Sequence, residues 1–274
     1  MQLRLYKMCL MILQNLQSTK IMSVKIKNKQ AIDKMRTAGL LLASIFEDVE
    51  SLVKEGISTL SIDTWITEQL LKKGLISQSK GYHGYQHVSC ISVNDVVVHG
   101  VPSNNVLLQK GDIVKVDVCA AWEGYCADMA RCFIVGKKTD ERTAHIIAVA
   151  QQALDLGIAQ AVVGNRLFDI SAAIQNCVEK QGYGIVRDFA GHGIGKKMHE
   201  EPDVPNFGDF GTGMRLKSGM TFAIEPMITQ GSYEVQIDND GWTARTKDAS
   251  LAVHVEDTVL ITDNGPEILT RPSK

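Results

Sequence analysis

Two halves of the sequence match each other at a fixed offset of 108 residues, and this repeat constrains the fold more than any other feature. Residues typical of helix ends, helix faces and turns recur at that spacing. The pairs are Gly56/Gly164, Ile62/Ile170, Ile66/Ile174, Leu70/Val178, Lys72/Lys180, Gly74/Gly182, Gly111/Gly219 and Asp117/Glu225. A single matched glycine arises easily by chance, so only the whole set favours duplication. Two related halves would bring Asp117 and Glu225 close to a shared axis.

Each half has the pattern of two helices combined with β-strands. In the first half, Asn28 predicts the start of a helix that runs to about Lys54. Ser58 or Thr59 starts a second helix, which Gly74 ends. In the second half, helices are predicted from Thr139 or Asp140 and over about 168–181, and strand-like runs in the whole chain cover 88–93, 95–98, 112–121, 125–135, 220–229 and 251–262.

Two aspartates lie inside a predicted β-hairpin whose other residues look buried. Asp117 and Asp128 occupy its two strands, and Trp122-Glu123-Gly124 lies between them. If Trp122 and Glu123 form a two-residue loop, Asp117 lies directly opposite Asp128, where two like charges repel. A cation between them would turn that repulsion into binding energy. The alternative is a different register, or an aspartate in the turn, which separates the pair.

The second half supplies two more carboxylates in apolar strands. Glu225 lies in TFAIEP, and Glu256 in LAVHVEDTVLIT takes the place of Asp128. One such residue alone is usually capped or exposed at an edge, but four related by a repeat favour a metal site. The histidine of GHGIG, His192, lies between glycines, a setting that suits a side chain facing a cavity. His99 lies where a strand meets a turn.

The six cysteines show no C-x-x-C spacing, which disfavours a zinc ribbon. In the hairpin register above, Cys119 and Cys126 would face each other. A zinc site of two cysteines and two aspartates is therefore one interpretation. Small buried thiols beside the acidic site are the interpretation we favour.

Composition indicates globular structure and limits the classes of partner. The chain has 274 residues, of which 45% are hydrophobic and 22% charged, with a formal net charge of −2. This near-neutral charge gives no indication of a nucleic-acid or anionic membrane partner, and no run of 18 apolar residues predicts a membrane span. Residues 1–21 lack the small-x-small cleavage site of a signal peptide. We expect them to form an extension outside the fold, with 22–274 as a single domain in the cytoplasm.

Several motifs, in order from about Met22 to the C-terminus, closely resemble those of type I methionine aminopeptidases. They are GYHGY (81–85), CISVNDVVVHGVP (90–102), VDV (116–118), CADMAR (126–131), GHGIG with MHEEP (191–202), FAIEPM (222–227) and VEDTVLITDNG (255–265). The resemblance implies the pita-bread fold of this metallopeptidase family. That fold is an α/β (α+β) architecture of pseudo-twofold duplicated α/β halves, with helices outside a curved antiparallel sheet. The implied activity is removal of the N-terminal methionine from nascent proteins and peptides whose second residue is small, by metal-activated water attack on the first peptide bond.

The resemblance also implies roles for individual residues. Two divalent metal ions (Co, Mn, Fe, Ni or Zn) would be bound by Asp117, Asp128, His192, Glu225 and Glu256. The catalytic residues would be His99, His199 and Glu225, and the substrate would contact Tyr82, Tyr85, Cys90, His99, Met198, His199 and Trp242. The expected partner is a peptide or nascent-chain N-terminus, with the ribosome as a further one. The protein is expected to act as a monomer, without nucleic-acid or membrane binding.

Five positions depart from the family pattern, and they affect the surroundings of the site rather than its five ligands. They are Met198, Ser79, Gln86, His254 and Val255. Prolidases and proline-specific aminopeptidases share the implied fold but normally carry a large additional N-terminal domain. Type II enzymes carry an insertion, whereas here only 26 residues separate His199 from Glu225. A third alternative is a non-enzymatic scaffold acting near the ribosome, and such relatives are expected to lose metal ligands.

Overall fold

The computed structural model describes residues 24–136 and 140–271, so the predicted extension over residues 1–21 lies outside the described part. Its α-helices are α1 (Lys29–Leu52), α2 (Thr59–Lys72), α3 (Glu141–Ala159) and α4 (Leu167–Lys180). The predicted starts of three helices are confirmed. Asn28, Ser58 and Asp140 each accept a hydrogen bond from the backbone N–H three residues further on, which satisfies an amide that has no partner inside the helix. None of the described helices has the length and apolar character needed to cross a membrane.

The internal repeat is confirmed by the structure at the predicted offset. Helix α4 begins and ends 108 residues after α2. The isolated bridge between Ser58 and Leu107 has its counterpart, at the same offset, in a bridge between Arg166 and Arg215. The paired helix-stop glycines, Gly74 and Gly182, have φ of 69° and 77°. A residue with a Cβ rarely adopts this left-handed backbone, so the recurrence of glycine there has a physical cause.

The strands are short except for one long hairpin and one further strand. They are β1 (Ile76–Ser77), β2 (Cys90–Val93), β3 (Val96–Val98), β4 (Ile113–Trp122), β5 (Tyr125–Ile134), β6 (Gly184–Ile185), β7 (Gly191–Gly193), β8 (Glu200–Val204), β9 (Thr221–Ile224), β10 (Met227–Thr229), β11 (Val235–Ile237), β12 (Ala244–Thr246), β13 (Ala252–His254), β14 (Glu256–Thr262) and β15 (Gly265–Ile268). A 3₁₀ turn covers Tyr82–Gly84.

These strands form one large curved sheet and two small ones, all antiparallel. The main sheet has the order β1-β4-β5-β14-β9-β7-β8, with β2 also paired to β4 and β15 to β14. One three-stranded sheet has the order β13-β10-β6, and the other has the order β11-β12-β3. The predicted antiparallel architecture is therefore confirmed.

Each half of the repeat packs its two helices against its own strands. In the first half, α1 and α2 bury apolar side chains against β4 and β5, and in the second half α3 and α4 do the same against β9 and β14. Ile62 and Ile66 of α2 occupy the positions in the first core that Ile170 and Ile174 of α4 occupy in the second. This helix packing leaves the opposite face of the central strands free to carry polar side chains.

The predicted register of the acidic hairpin is wrong by two residues. The turn consists of Glu123 and Gly124, with φ of 46° and 77°, and not of Trp122 and Glu123. Positive φ at both turn residues is the geometry whose twist fits a two-residue hairpin, and glycine adopts it without strain. Consequently Asp117 lies opposite Ala130, and Asp128 opposite Cys119.

A shift of two residues keeps every side chain on its predicted face of the hairpin. The two aspartates are therefore diagonal neighbours on one face. The same correction applies to the two thiols, because Cys126 lies opposite Ala121 instead of opposite Cys119. Both cysteines are buried and free, in agreement with the interpretation as small buried thiols.

Two predicted strands are each interrupted at a glutamate or at the residue next to one. The run 220–229 divides into β9 and β10 at Glu225-Pro226, and the run 251–262 divides into β13 and β14 at Val255. Proline has no N–H to donate to a strand partner, so a break at Pro226 is physically expected. At both breaks the chain passes between the main sheet and the β13-β10-β6 sheet. Glu225 and Glu256 therefore lie at the junction of two sheets.

Candidate metal centre

Three predicted ligands converge in the middle of the main sheet. Asp128 of β5, His192 of β7 and Glu256 of β14 each offer a ligand atom, and these atoms all lie within 4.8 Å of one another. All three side chains are buried. The strand pairings that fix them are β14 with β5 and β9, and β9 with β7. Among the acidic, histidine and cysteine side chains of the described residues, these three are spaced closely enough to hold a metal ion.

The two other predicted ligands border this group. Glu225 directs Oε1 toward His192, with 3.6 Å between Oε1 and Nε2. Asp117 faces Cys90 of β2 across the strand pair and lies diagonally from Asp128. Asp117 is thus on the same face as the converging group, but it is not one of the three residues within 4.8 Å. The structure brings all five side chains into one region, three of them into direct convergence.

Burial and mutual repulsion favour the protonated forms of these carboxyl groups. Burial, followed by the charge of Glu225, raises the pKa of Asp128 from 3.8 to about 7. Burial also raises the pKa of Glu256 well above its ordinary value, and the neighbouring Asp128 and Glu225 raise it further. The pKa values of Asp117 and Glu225 are raised well above their ordinary values in the same way, chiefly by burial. Clustered buried carboxylates of this kind bind protons or cations in preference to remaining charged and unpaired.

The atoms of the group fit a divalent cation. Oδ1 of Asp128 and Oε1 of Glu256 are buried and have no hydrogen-bond partner in the described part of the chain. His192 Nδ1 donates to the carbonyl oxygen of Gly193 at 3.0 Å, so its Nε2 carries the free lone pair in the neutral ring. Burial lowers the pKa of His192 to about 3, which keeps the ring neutral. Carboxylate oxygens with one imidazole suit first-row divalent metals, and neither cysteine nor another soft ligand is needed.

Glycines on either side of His192 allow the strands to approach. A Cβ on Gly191 would overlap the carbonyl oxygen of Ala223, and one on Gly193 would overlap that of Glu201. Both contacts involve backbone atoms of neighbouring strands, which cannot move aside. The glycine setting identified in the sequence therefore has a structural reason, and the His192 side chain between the two glycines is buried.

The backbone that carries the acidic ligands is held by side-chain hydrogen bonds. The Thr258 hydroxyl accepts from the Asp128 N–H at 2.9 Å and donates to the Asp128 carbonyl oxygen at 2.9 Å. The Arg131 guanidinium donates to the carbonyl oxygen of Glu256 and, at 2.6 Å, to the carboxylate of Asp257. These contacts join β5 to β14 and fix the spacing of Asp128 and Glu256.

Two histidines predicted to be catalytic lie at the edge of the acidic group. The His199 ring stands perpendicular to the His192 ring, with 4.4 Å between their centroids. Its Nδ1 lies 2.9 Å from the hydroxyl oxygen of Tyr82. His99 contacts the Phe189 ring edge-on at 5.3 Å, and burial lowers its pKa to about 4. The residue has φ of 58°, a left-handed backbone that follows β3 directly.

The predicted substrate pocket is partly assembled around Tyr85. The Tyr85 ring lies 5.0 Å from that of Trp242, and its hydroxyl donates to the carbonyl oxygen of Ser89 at 2.9 Å. Burial raises the pKa of the adjacent Cys90 thiol well above its ordinary value, so this thiol stays neutral. Met198 is partly buried against a cluster that contains Ile194 and Leu260.

Two residues near the site had no role in the sequence interpretation, and a third, His254, was named there only as a departure from the family pattern. Phe189 contacts His99, and Asp63 of α2 accepts hydrogen bonds from the backbone N–H groups of Val88 and Ser89, which lead into the pocket. His254 is the third: its Nε2 lies 3.4 Å from Oε2 of Glu225, and burial lowers its pKa to about 4. It precedes Glu256 by two positions, so strand alternation alone indicates that both side chains point to the same face.

Comparison with known proteins extends these observations. The pattern described as Metallopeptidase family M24 matches residues 33–263. A methionine aminopeptidase of Clostridium acetobutylicum is 46% identical over 245 residues, which are 89% of this chain and 98% of that protein. One of Escherichia coli is 44% identical over 252 residues, 91% of this chain and 94% of the other.

Solved structures give the same result for the fold. The crystal structure of a Thermotoga maritima methionine aminopeptidase superimposes with a TM-score of 0.89 at 42% identity, over 91% of this chain and 100% of that chain. A prolidase from Pyrococcus furiosus superimposes with a TM-score of 0.72 at 21% identity, over 91% of this chain and 66% of that one. At that identity the prolidase supports the fold alone.

Proposed function

Because the chain belongs to metallopeptidase family M24 and matches its methionine aminopeptidases over nearly its whole length, we propose that it is a metal-dependent hydrolase that removes N-terminal methionine from peptides. The observation that carries this proposal is the buried convergence of Asp128, His192 and Glu256. It supplies the donor atoms that a metallopeptidase needs. The substrate, an N-terminal methionine, is inferred from the matching relatives, which are named methionine aminopeptidases.

We propose that two divalent ions are held by five side chains. Asp128 and Glu256 are central in this assignment, because each has a buried oxygen without a hydrogen-bond partner. His192 and Glu225 lie on one side and Asp117 on the other. When bound, the metal supplies Lewis-acid stabilisation of developing negative charge and activates a water for attack on the peptide bond. Cobalt, manganese, iron, nickel and zinc all accept this donor set.

His199 is proposed to donate a hydrogen bond to the substrate carbonyl oxygen. Burial lowers its pKa, so at neutral pH the ring carries a single N–H. The Tyr82 hydroxyl, 2.9 Å from Nδ1, can donate to that nitrogen and leave the proton on Nε2. The Nε2–H then points away from Tyr82 and is available to the substrate. His99 is proposed as a second donor to the same peptide group, as charge develops on its oxygen.

Glu225 is proposed to move the proton during hydrolysis. Its carboxyl group borders the ligand group and has a pKa raised well above the ordinary value, chiefly by burial. A carboxylate at this position can accept a proton from the attacking water and return it to the departing amine. Its position at the break between β9 and β10 places it beside His192 without a strand partner of its own.

The proposed pocket for the methionine side chain consists of aromatic and neutral groups. Tyr85, Trp242 and the un-ionised Cys90 thiol offer an apolar wall that suits an unbranched thioether. Tyr82 and Met198 complete the proposed set. The substrate amine would lie near the acidic group, so an unblocked N-terminus is expected to be required.

The remaining assignments concern the cellular setting. We propose that the enzyme acts in the cytoplasm, as a monomer, on nascent chains leaving the ribosome. Residues 1–21 are proposed to be an extension that is not needed for catalysis, with 22–274 as the catalytic domain. Support for this boundary is the position of the family match, which covers residues 33–263.

A peptide panel tests the substrate. Met-Ala-Ser should be cleaved readily, Met-Lys-Ser poorly because the second residue is large, and N-acetyl-Met-Ala-Ser not at all because its amine is blocked. The prolidase-like alternative is tested in the same assay with Ala-Pro and Gly-Pro peptides. If those peptides give a higher kcat/KM than Met-Ala-Ser, the methionine assignment is wrong.

A matched pair of aspartate variants tests the metal site. Asp117→Asn should lose activity and bound metal, as measured by elemental analysis. Asp209→Asn, at an exposed position away from the site, should retain both. Full activity and normal metal content in Asp117→Asn would exclude Asp117 as a ligand.

A further inference from the structure

Glu225 lies between two imidazole rings, and only one of them belongs to the proposed ligand set. Oε1 of Glu225 is 3.6 Å from Nε2 of His192, and Oε2 is 3.4 Å from Nε2 of His254. The two carboxylate oxygens therefore have different neighbours. An unrestrained carboxylate can exchange its oxygens by rotation, so different neighbours imply a preferred orientation.

His254 is placed there by strand pairing. It ends β13 and lies directly opposite Met227 of β10, two residues beyond Glu225. The side chain is 2% exposed. Its Nε2 is buried and makes no hydrogen bond to any other described residue in the present geometry. A buried polar nitrogen without a partner is costly, and the nearest candidate partner is the Glu225 carboxylate.

The two histidines must direct different kinds of nitrogen toward Glu225, an unprotonated Nε2 from His192 and a protonated Nε2 from His254. His192 has its proton on Nδ1, because that nitrogen donates to Gly193, so its Nε2 offers a lone pair. A metal-bound Glu225 is ionised, and its Oε2 also offers only lone pairs. If His254 carried its proton on Nδ1, two lone pairs would meet at 3.4 Å and repel. Attraction requires the His254 proton on Nε2.

We propose that His254 is a positioning residue for Glu225: its Nε2–H donates to Oε2 and thereby keeps Oε1 turned toward His192 and the metal site. This inference rests on the proposed function, in which Glu225 is a ligand and a proton carrier. His254 itself lies outside the group of three whose ligand atoms converge within 4.8 Å. It therefore acts through Glu225 rather than on the metal.

Removing a hydrogen-bond partner of a metal ligand typically lowers metal affinity or activity by about 10–100-fold. His254→Ala should therefore weaken Co²⁺ binding and lower kcat by about that factor, with unchanged Co²⁺ stoichiometry and little change in KM. His254→Gln keeps an N–H donor and should remain close to the wild type. His145→Ala, which removes an exposed histidine that contacts Tyr183, is the matched control and should change nothing.

A double-mutant cycle on Co²⁺ affinity, measured by titration calorimetry, separates positioning from simple packing. In a Glu225→Ala background, His254→Ala should produce no further loss, because the partner is already absent. An equal loss in both backgrounds would overturn the proposal, as would a fall in Co²⁺ stoichiometry in His254→Ala, which would make His254 a ligand. Failure of Glu225→Ala alone to weaken Co²⁺ binding would count against the proposed function instead.

The tautomer provides a readout that does not depend on activity. In ¹⁵N NMR spectra of the protein loaded with diamagnetic Zn²⁺, His254 Nε2 should show the shift of a protonated imidazole nitrogen. Glu225→Ala should change that shift, and His145→Ala should not. An unprotonated Nε2 in the wild type, or a shift unaffected by Glu225→Ala, would refute the hydrogen bond.

Discussion

Asp128→Asn should stabilise the metal-free protein while it destroys metal binding. Asp128 is buried among carboxylates, and its pKa rises from 3.8 to about 7 on folding. At about 1.4 kcal/mol per pKa unit, this rise corresponds to an unfavourable free energy of about 4 kcal/mol when Asp128 is ionised. Asparagine has nearly the same shape and carries no charge. The backbone contacts of residue 128 with Thr258 remain available to it.

The sign and the pH window follow from the direction of the shift. A group whose pKa is raised by folding binds its proton more tightly in the folded state. The stability that protonated Asp128 contributes is therefore fully present below about pH 3.8 and is lost as pH rises to about 7. The benefit of Asp128→Asn should therefore be small at pH 4 and largest above pH 7. For a chain of this size, about 4 kcal/mol corresponds to roughly 8 °C in Tm as an upper value.

The assay is thermal unfolding of EDTA-treated protein at pH 4, 6 and 8, followed by circular dichroism. Asp209→Asn controls for the loss of one negative charge at the surface. With Co²⁺ at about 100-fold excess over Kd, the difference should narrow by about 2.7 kcal/mol, because the metal stabilises only the protein that can bind it. A lower Tm for metal-free Asp128→Asn at pH 8, or a difference independent of pH, would refute the reasoning.

Three other predictions concern the site and the domain boundary. Glu256→Gln should lose metal and Met-Ala-Ser cleavage together, as shown by elemental analysis beside the peptide assay, and retained activity would exclude it as a ligand. His199→Ala should lower kcat by about 10²–10³ with full metal content, since it removes a donor to the developing oxyanion; loss of metal would make it a ligand instead. A chain starting at Met22 should cleave as well as the full chain, and an insoluble or inactive product would place residues 1–21 within the fold.

The repeat was predictable because it consists of positions with strong physical requirements. Gly74 and Gly182 end helices in a left-handed conformation, and Ile62 and Ile170 fill equivalent core positions. Such positions tolerate few alternatives, so the offset survives in the sequence. The same reasoning located the carboxylates, because an acidic side chain in an apolar strand is costly unless it is bound or paired.

The predictions that were wrong or incomplete depend on geometry that the pattern of apolar residues in a strand does not reveal. The register of the hairpin follows from the turn type, and the choice between Trp122-Glu123 and Glu123-Gly124 changes it by two residues without moving a side chain to the other face. The break at Pro226 had a visible signal in the proline itself, whereas the break at Val255 had none. The contact of His254 with Glu225 joins the end of β13 to the break before β10, and the pairing of β13 with β10 was not predicted. The sequence could place His254 on the face of Glu256 but could not identify its partner.

The most direct test of the account is a metal titration of stripped protein. Metal-free enzyme at neutral pH, mixed with Met-Ala-Ser, should show no cleavage until Co²⁺ or Mn²⁺ is added. The rate should then rise in step with metal bound at the site and should fall again with EDTA. Activity that persists in the stripped protein, or metal that binds at the Asp128, His192 and Glu256 group without restoring cleavage, would contradict the central claim that this cluster is the catalytic metal centre.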